Sequence, residues 1–386
     1  VKAVDLHNSQ NSQADVQKRD VPFFRYTALI KQNEVDVRAR MEDVLSRGAF
    51  ILQKDLVEFE KNLASFLGIK HVIGVANGTD ALIIALKAAG IRDGDEVILP
   101  SHTFIATAAA VKMCGGVPVL VDCTRDHLVD PALMARAVTA KTRFLMPVQL
   151  NGRTANMDLI QEIANKHKLE IIEDSAQALG SKFKGKTAGS FGKAGMISFY
   201  PAKVLGCFGD GGAITTNDDD MAHQMMLLRE HGRDPKTGQV VAWGLNSRLD
   251  NLHAAVLDAQ LKHYPEVMKR RRTIASMYQQ GLTSLKEVLL PIAPDAEADH
   301  YDIFQNYEVE FEKRDELKAY LASRGVGTLI QWGGKGVHQF KELGFNISLP
   351  VTERVMAKSL MLPINMFVSD EDVQFVIDCI RKFYSK

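Results

Sequence analysis

The chain has 386 residues, 46% hydrophobic and 24% charged, with 28 glycines and 12 prolines. At about 150 residues per domain this length carries two or three domains and a sizeable core, and the composition excludes a disordered, collagenous or low-complexity protein. Forty-seven basic residues balance forty-seven acidic ones, so no general attraction to nucleic acid or to an anionic membrane surface is expected.

Residues 1–20 are polar without an apolar run and read as a flexible leader, not a signal peptide. The longest apolar stretch, 104–121, is broken by Lys112, Gly115, Gly116 and Pro118, so no membrane span is expected. From about residue 70, short β-branched runs alternate with longer amphipathic ones, the pattern of βαβ units around a mostly parallel sheet. HVIGVA (71–76), EVILP, PVLVD (118–122), RFLMPVQ (143–149), LEIIED (169–174), AGMISFY and GAITT predict seven strands, with helices between them at TDALIIALKAAG, at about 156–167 and at 218–231. The large α/β domain is assigned to 21–265. Beyond it, a basic helix with Arg270, Arg271 and Arg272 leads into EVLLPI, QNYEVEF, a helix at about 313–323 and TLIQW. These predict a smaller α+β domain over 266–386, with the arginines on a solvated face or at a subunit contact.

Cys114, Cys123, Cys207 and Cys379 lie far apart with no CxxC pair. No metal site and no disulfide framework is expected, and a reducing cytoplasm fits best.

Three segments carry chemistry. Asn77-Gly78-Thr79 ends a strand and starts a helix, where unpaired N–H groups and the helix dipole suit a phosphate; an ordinary N-cap suits the same residues. Glu173-Asp174-Ser175-Ala176-Gln177 closes an apolar strand with two acids. Ligands of a parallel sheet collect beyond such strand ends, so a carboxylate there can meet a cationic ring nitrogen or simply cap a turn. Ser198-Phe199-Tyr200-Pro201-Ala202-Lys203 closes another strand and is followed by Gly206, Gly209, Gly211 and Gly212. A lysine in such a place forms a Schiff base with a carbonyl cofactor when its pKa is lowered, although a lone lysine is usually a surface residue. No strand is followed by GxGxxG, which argues against a nicotinamide-dependent sugar oxidoreductase.

The order of these segments resembles the fold-type I sugar aminotransferases of the DegT/DnrJ/EryC1/StrS family, from Val21 to the C-terminus. NGTDAL, PSHTFIATA, NGRTANMD, IIEDSAQALG, SFYPAKVLGCFGDGGAI, REHG and NSRLDNLHAA carry the resemblance. It implies pyridoxal 5'-phosphate as cofactor, bound covalently by Lys203, with Asp174 on the pyridinium nitrogen and Gln177 near the ring hydroxyl. Gly78, Thr79 and Ser198 would hold the phosphate, Phe104 would stack on the ring, and Asn246 would reach the phosphate of the other subunit. A homodimer with shared sites follows, and Leu252, Ala255, Val256 and Ala259 recur at helical spacing as its contact face. The implied reaction is amino transfer from an amino acid, glutamate by resemblance, to an oxo-sugar in surface-glycan or lipopolysaccharide biosynthesis. A dehydrating branch of the family has histidine in place of the lysine, and a non-catalytic module would have lost it.

The segment Gln331-Trp332-Gly333-Gly334-Lys335-Gly336-Val337-His338 lacks the proline usual in members acting on nucleotide-linked sugars. Lys335 and His338 there suit an anionic substrate group. The segment resembles enzymes that aminate an octulosonic acid at C8, so an acidic oxo-sugar without nucleotide stands beside a nucleotide-linked keto-sugar.

Overall fold

The computed structural model describes residues 18–31 and 33–385. The leader expected over 1–20 lies outside them except for its last three residues. Arg19 is tied down: its N–H donates to the Arg324 carbonyl (3.0 Å) and its guanidinium pairs with Asp372. Chain order is α1 (Tyr26–Lys31), α2 (Glu34–Arg47), α3 (Lys54–Leu67), β1 (His71–Val75), α4 (Gly78–Ala88), β2 (Glu96–Pro100), α5 (Ile105–Met113), β3 (Val117–Val121), α6 (Pro131–Ala137), β4 (Thr142–Leu145), α7 (Met157–His167) and β5 (Glu170–Asp174). Two short strands, β6 (Lys182–Phe183) and β7 (Lys186–Thr187), precede β8 (Ala194–Ser198), β9 (Gly212–Thr216), α8 (Asp219–Arg229), α9 (Asn251–Leu261) and α10 (Tyr264–Leu282). Then follow β10 (Val288–Leu289), β11 (His300–Tyr301), β12 (Tyr307–Phe311), α11 (Arg314–Ser323), α12 (Pro350–Lys358), β13 (Ser359–Leu362) and α13 (Asp370–Tyr384).

The seven strands expected from the sequence form one sheet in the order β1-β9-β8-β5-β4-β2-β3, parallel except for β9. Its strands are apolar runs because helices cover both faces. In α4, every residue from Ala81 to Leu86 is buried, which is why this helix shows no polar stripe. β9 runs antiparallel to both β1 and β8, so β1 and β8 point the same way as β5 and β2. Their carboxyl ends therefore share one edge of the sheet, the edge where α/β proteins bind ligands.

The smaller sheet has the order β10-β12-β13, packed with α10, α11 and α13. EVLLPI contributes only the two-residue β10, and TLIQW is not a strand: it bends into a 3-10 turn at Gln331–Gly334, leaving one bridge from Leu329 to Met361. Trp332 and Gly333 have positive φ there, which no strand accommodates. The core changes over within α10. Tyr264 and Met268 pack with the large sheet, whereas Ile274, Ala275, Tyr278 and Leu282 pack with the small one.

The arginine run on α10 is not a solvated face. Arg271 is buried and donates from Nε to the Phe304 carbonyl (2.8 Å) and from Nη2 to the Gln305 carbonyl (2.6 Å). Arg272 donates to the Asp302 carbonyl (2.7 Å). The guanidinium forks satisfy the backbone of the segment that crosses between the two cores. The α9 face expected at a subunit contact is also covered within the chain, by α2 and α3. No helix among the described residues is long and apolar enough to cross a membrane.

Candidate active site

Strand alternation separates the two acids that end β5. Glu173 turns into the large core and accepts the N–H groups of Gly189 (2.9 Å), Phe191 (2.6 Å) and Gly192 (2.9 Å), which makes it a structural carboxylate. Asp174 turns to the other face. Its Oδ2 accepts Thr107 Oγ1 at 2.8 Å and its Oδ1 accepts the Ala176 N–H at 3.2 Å. Thr107 is itself held by Thr103, 2.7 Å between hydroxyls. Burial pushes the Asp174 carboxyl above its ordinary range, opposed by Thr107, Ala176 and the charge of Lys203. The groups bonded to this carboxylate are neutral, so a cationic ring nitrogen would supply the counter-charge it lacks.

Lys203 sits in the connection from β8 to β9, just beyond the β8 carboxyl end. Burial brings its pKa down to about 8, against the pull of Asp174. A protonated lysine is a poor nucleophile, and this shift makes a neutral amine available near physiological pH. Gln305 brackets it: Nε2 donates to the Ala202 carbonyl (3.1 Å) and Oε1 accepts the Val204 N–H (3.0 Å).

The segments expected to hold a phosphate meet at the start of α4. Asn77 caps α4 through Oδ1 and the Asp80 N–H (2.8 Å). This leaves the first-turn N–H groups of Gly78 and Thr79 facing outward. A Cβ on Gly78 would lie 3.1 Å from Met196 Sδ and 3.2 Å from Ser198 Cβ, so the helix start and the β8 end are in close contact. Glycine permits that approach. Phe104 stands at the N-cap position of α5, is 54% exposed, and its carbonyl accepts the Thr107 N–H (3.1 Å). Gln177 Oε1 accepts the Asn151 N–H (2.9 Å) and Asn306 Nδ2 (3.1 Å). An anion cradle, a buried carboxylate, a lysine of lowered pKa and an open aromatic ring form a donor set that fits pyridoxal phosphate.

The remaining expected residues stand apart. Asn246 is exposed and borders an open cavity of about 320 Å³ with Ala76, Asp210, Arg248, Asp250 and His253. His338 is buried, with Nδ1 2.6 Å from Ser101 Oγ and Nε2 3.3 Å from Glu353 Oε1. Both ring nitrogens are engaged, so it offers nothing to a substrate. Lys335 is exposed, with its ammonium 5.9 Å from the Phe340 ring centroid. The two do not form the joint anion site expected of them. The cavity that contains Lys203 is instead bordered by Phe23, Arg25, Gln305, Asn306 and the segment 364–367. Thr107, Gln305 and Arg25 were missed. Thr107 lies inside a quoted motif and could have been found there, whereas Gln305 and Arg25 reach the site only through the fold.

The fold and this site define a pyridoxal-phosphate-dependent enzyme of fold-type I. The chain matches the DegT/DnrJ/EryC1/StrS aminotransferase family over residues 31–381 and belongs to it. It is 38% identical over 369 residues to the dTDP-3-amino-3,4,6-trideoxy-alpha-D-glucose transaminase of Streptomyces venezuelae, covering 94% of this chain and 96% of that protein. It is 36% identical over 341 residues to the UDP-2-acetamido-2-deoxy-3-oxo-D-glucuronate aminotransferase of Pseudomonas aeruginosa, covering 88% and 94%. Among solved structures, S. venezuelae DesV superposes with TM-score 0.91 at 38% identity, over 95% of this chain and 99% of that one. NtdA of Bacillus subtilis, with bound cofactor PMP, gives 0.88 at 29% identity, over 98% and 87%. The protein is a sugar aminotransferase.

Proposed function

We propose that the chain transfers the amino group of an amino acid, glutamate in the first instance, to the keto group of a nucleotide-linked sugar in surface-glycan biosynthesis, as a homodimer with shared sites. The observation that carries this reading is a cavity bordered by both Lys203 and Arg25. When bound, pyridoxal phosphate supplies the electron sink that lets a proton leave the amine-bearing carbon. Lys203, with its lowered pKa, takes that proton at Nζ and returns one at the neighbouring position. Asp174 keeps a proton on the ring nitrogen, while Gly78, Thr79 and Ser198 hold the phosphate.

Arg25 is the cation left for the donor's carboxylate. Its Nη2 donates to the Asp20 carbonyl (3.1 Å), and its Nε is buried without an acceptor among the described residues. The nucleotide-linked acceptor is supported by the activities of the relatives named above. The acidic octulosonic substrate loses support because His338 is engaged elsewhere. The dimer is supported by Val240, Val241 and Trp243, an apolar stretch that a single chain leaves exposed.

A half-reaction screen tests the reading. Enzyme loaded with pyridoxamine phosphate is mixed with dTDP- and UDP-linked 3-keto-sugars and with an 8-oxo octulosonic acid, and the cofactor absorbance is followed. Conversion by a nucleotide-linked sugar, absent in Lys203→Ala, supports it. Conversion by the octulosonic acid alone replaces it.

A further inference from the structure

His102, His127 and Glu308 come from distant parts of the chain and meet between the two sheets. His102 follows β2, His127 lies in the loop after β3, and Glu308 is on β12 of the small sheet. All three are buried, and one ligand atom from each lies within 4.8 Å of the others. His127 has a φ of 67°, an uncommon conformation that turns its ring toward the small sheet's acids.

The far side of each ring is held in the same manner. His102 Nδ1 is 3.0 Å from the His127 carbonyl oxygen, which can only accept, so Nδ1 carries the hydrogen and Nε2 presents a lone pair to the cluster. His127 Nε2 is 3.3 Å from Glu310 Oε1, and its Nδ1 is 2.8 Å from Glu308 Oε2. His102 Nε2 and Glu308 Oε1 are buried with no hydrogen-bond partner among the described residues. His102 Nε2 thus points its lone pair at the Glu308 carboxylate, 3.7 Å from Oε2, an acceptor facing an acceptor, and a cation between them would satisfy both.

We propose that His102 Nε2, His127 Nδ1 and the Glu308 carboxylate bind one divalent first-row cation, with zinc the best match. Zinc takes imidazole nitrogen and carboxylate oxygen at about 2.0–2.2 Å, which sets tetrahedral ligands about 3.3 Å apart. The observed separations from Glu308 Oε2, 2.8 Å to His127 Nδ1 and 3.7 Å to His102 Nε2, bracket that value. On binding, the proton between His127 Nδ1 and Glu308 leaves to solvent, and the cation takes its place and engages the unpartnered His102 Nε2. The surrounding shell is already built. The His127 carbonyl orients His102, Glu310 orients His127, and Asn151 Nδ2 bonds Glu308 Oε2 at 2.8 Å; such partners fix ligand orientation and basicity. A cavity of about 30 Å³ bordered by His127, Asn151 and Glu308 offers an entry path.

Two ligands belong to the large sheet's loops and one to the small sheet, so the cation would pin the sheets together. The same Asn151 that bonds Glu308 donates its backbone N–H to Gln177, so the clamp sits directly behind the cofactor-ring side. It touches no reacting atom and is a positioning centre.

The test uses the cofactor-loaded protein, stripped with a chelator and titrated with zinc alone or with cobalt(II). About one zinc per chain, a rise in melting temperature and the visible bands of tetrahedral cobalt are expected. Glu308→Gln and His102→Asn should each weaken zinc binding at least a hundred-fold and abolish the cobalt bands. The cofactor absorbance and the circular dichroism spectrum establish that each variant is folded. Wild-type zinc uptake no tighter than that of Glu308→Gln, or cobalt bands that survive in the folded variants, would overturn the assignment. None of these readouts depends on turnover, so they stand apart from the sugar reading.

Discussion

Gln305 grips the backbone on both sides of Lys203, accepting from Val204 and donating to Ala202 at 3.0 and 3.1 Å. Gln305 is itself anchored through its carbonyl by buried Arg271. Lys203 is therefore placed by a residue of the segment that crosses between the cores. Gln305→Ala removes two hydrogen bonds of about 0.5–1.5 kcal/mol each, and a lysine displaced by about 1 Å loses up to about 100-fold in rate. Single-turnover kinetics should show a slower proton-transfer half-reaction with the sugar's apparent affinity retained. An unchanged rate would mean that other contacts place Lys203.

A second expectation concerns pH. If Lys203 is the residue that captures the cofactor's aldehyde, it must do so as the neutral amine, and the capture rate in cofactor-free protein should rise with pH through a midpoint near 8, not near the ordinary lysine value. The Asp174 charge raises that pKa while burial lowers it. Removing the charge in Asp174→Ala should move the midpoint below 8. Stopped-flow absorbance from pH 6 to 10 measures both, and a midpoint that moves upward contradicts the electrostatic account.

The large sheet was legible because its strands are apolar runs separated by glycines and caps, and the proposed site because its polar residues cluster at or just beyond the ends of β5 and β8. Local pattern could not reveal contacts made across the chain. Arg271 reads as one of three consecutive surface arginines, and only the fold shows its guanidinium under the Phe304 and Gln305 carbonyls. His338 sits in a glycine-rich segment that suggests a mobile loop, yet its ring is locked to Ser101, 237 positions away. His102, His127 and Glu308 share no spacing rule, because β-strand order and not sequence distance brings them together.

Thr107 offers a sharper test of the carboxylate. It is the one side-chain donor to Asp174 among the described residues, and a hydrogen bond to a charged group contributes about 1.5–3 kcal/mol. Thr107→Val leaves a buried carboxylate short of a donor and should lift the Asp174 pKa further. Cofactor affinity and half-reaction rate should fall roughly 10- to 100-fold, with Thr107→Ser recovering most of the loss. Equal behaviour of the valine and serine variants would assign Thr107 to packing alone.

The proposal of a site shared between subunits is open to a complementation experiment. Asn246 is exposed and lies beside Asp210, Arg248, Asp250 and His253, not among the residues around Lys203. If it serves the phosphate across a subunit boundary, Asn246→Asp places a carboxylate against that phosphate and inactivates the partner's site. Lys203→Ala inactivates its own. In a mixed dimer, one site combines Lys203 of one chain with Asn246 of the other and is intact, while the second site carries both lesions. Equal mixing makes half the dimers mixed, each with one good site of two, so about a quarter of wild-type activity should return. Native mass spectrometry establishes that the chains have exchanged. No recovery in a population proven to contain mixed dimers would mean that each chain builds its whole site alone.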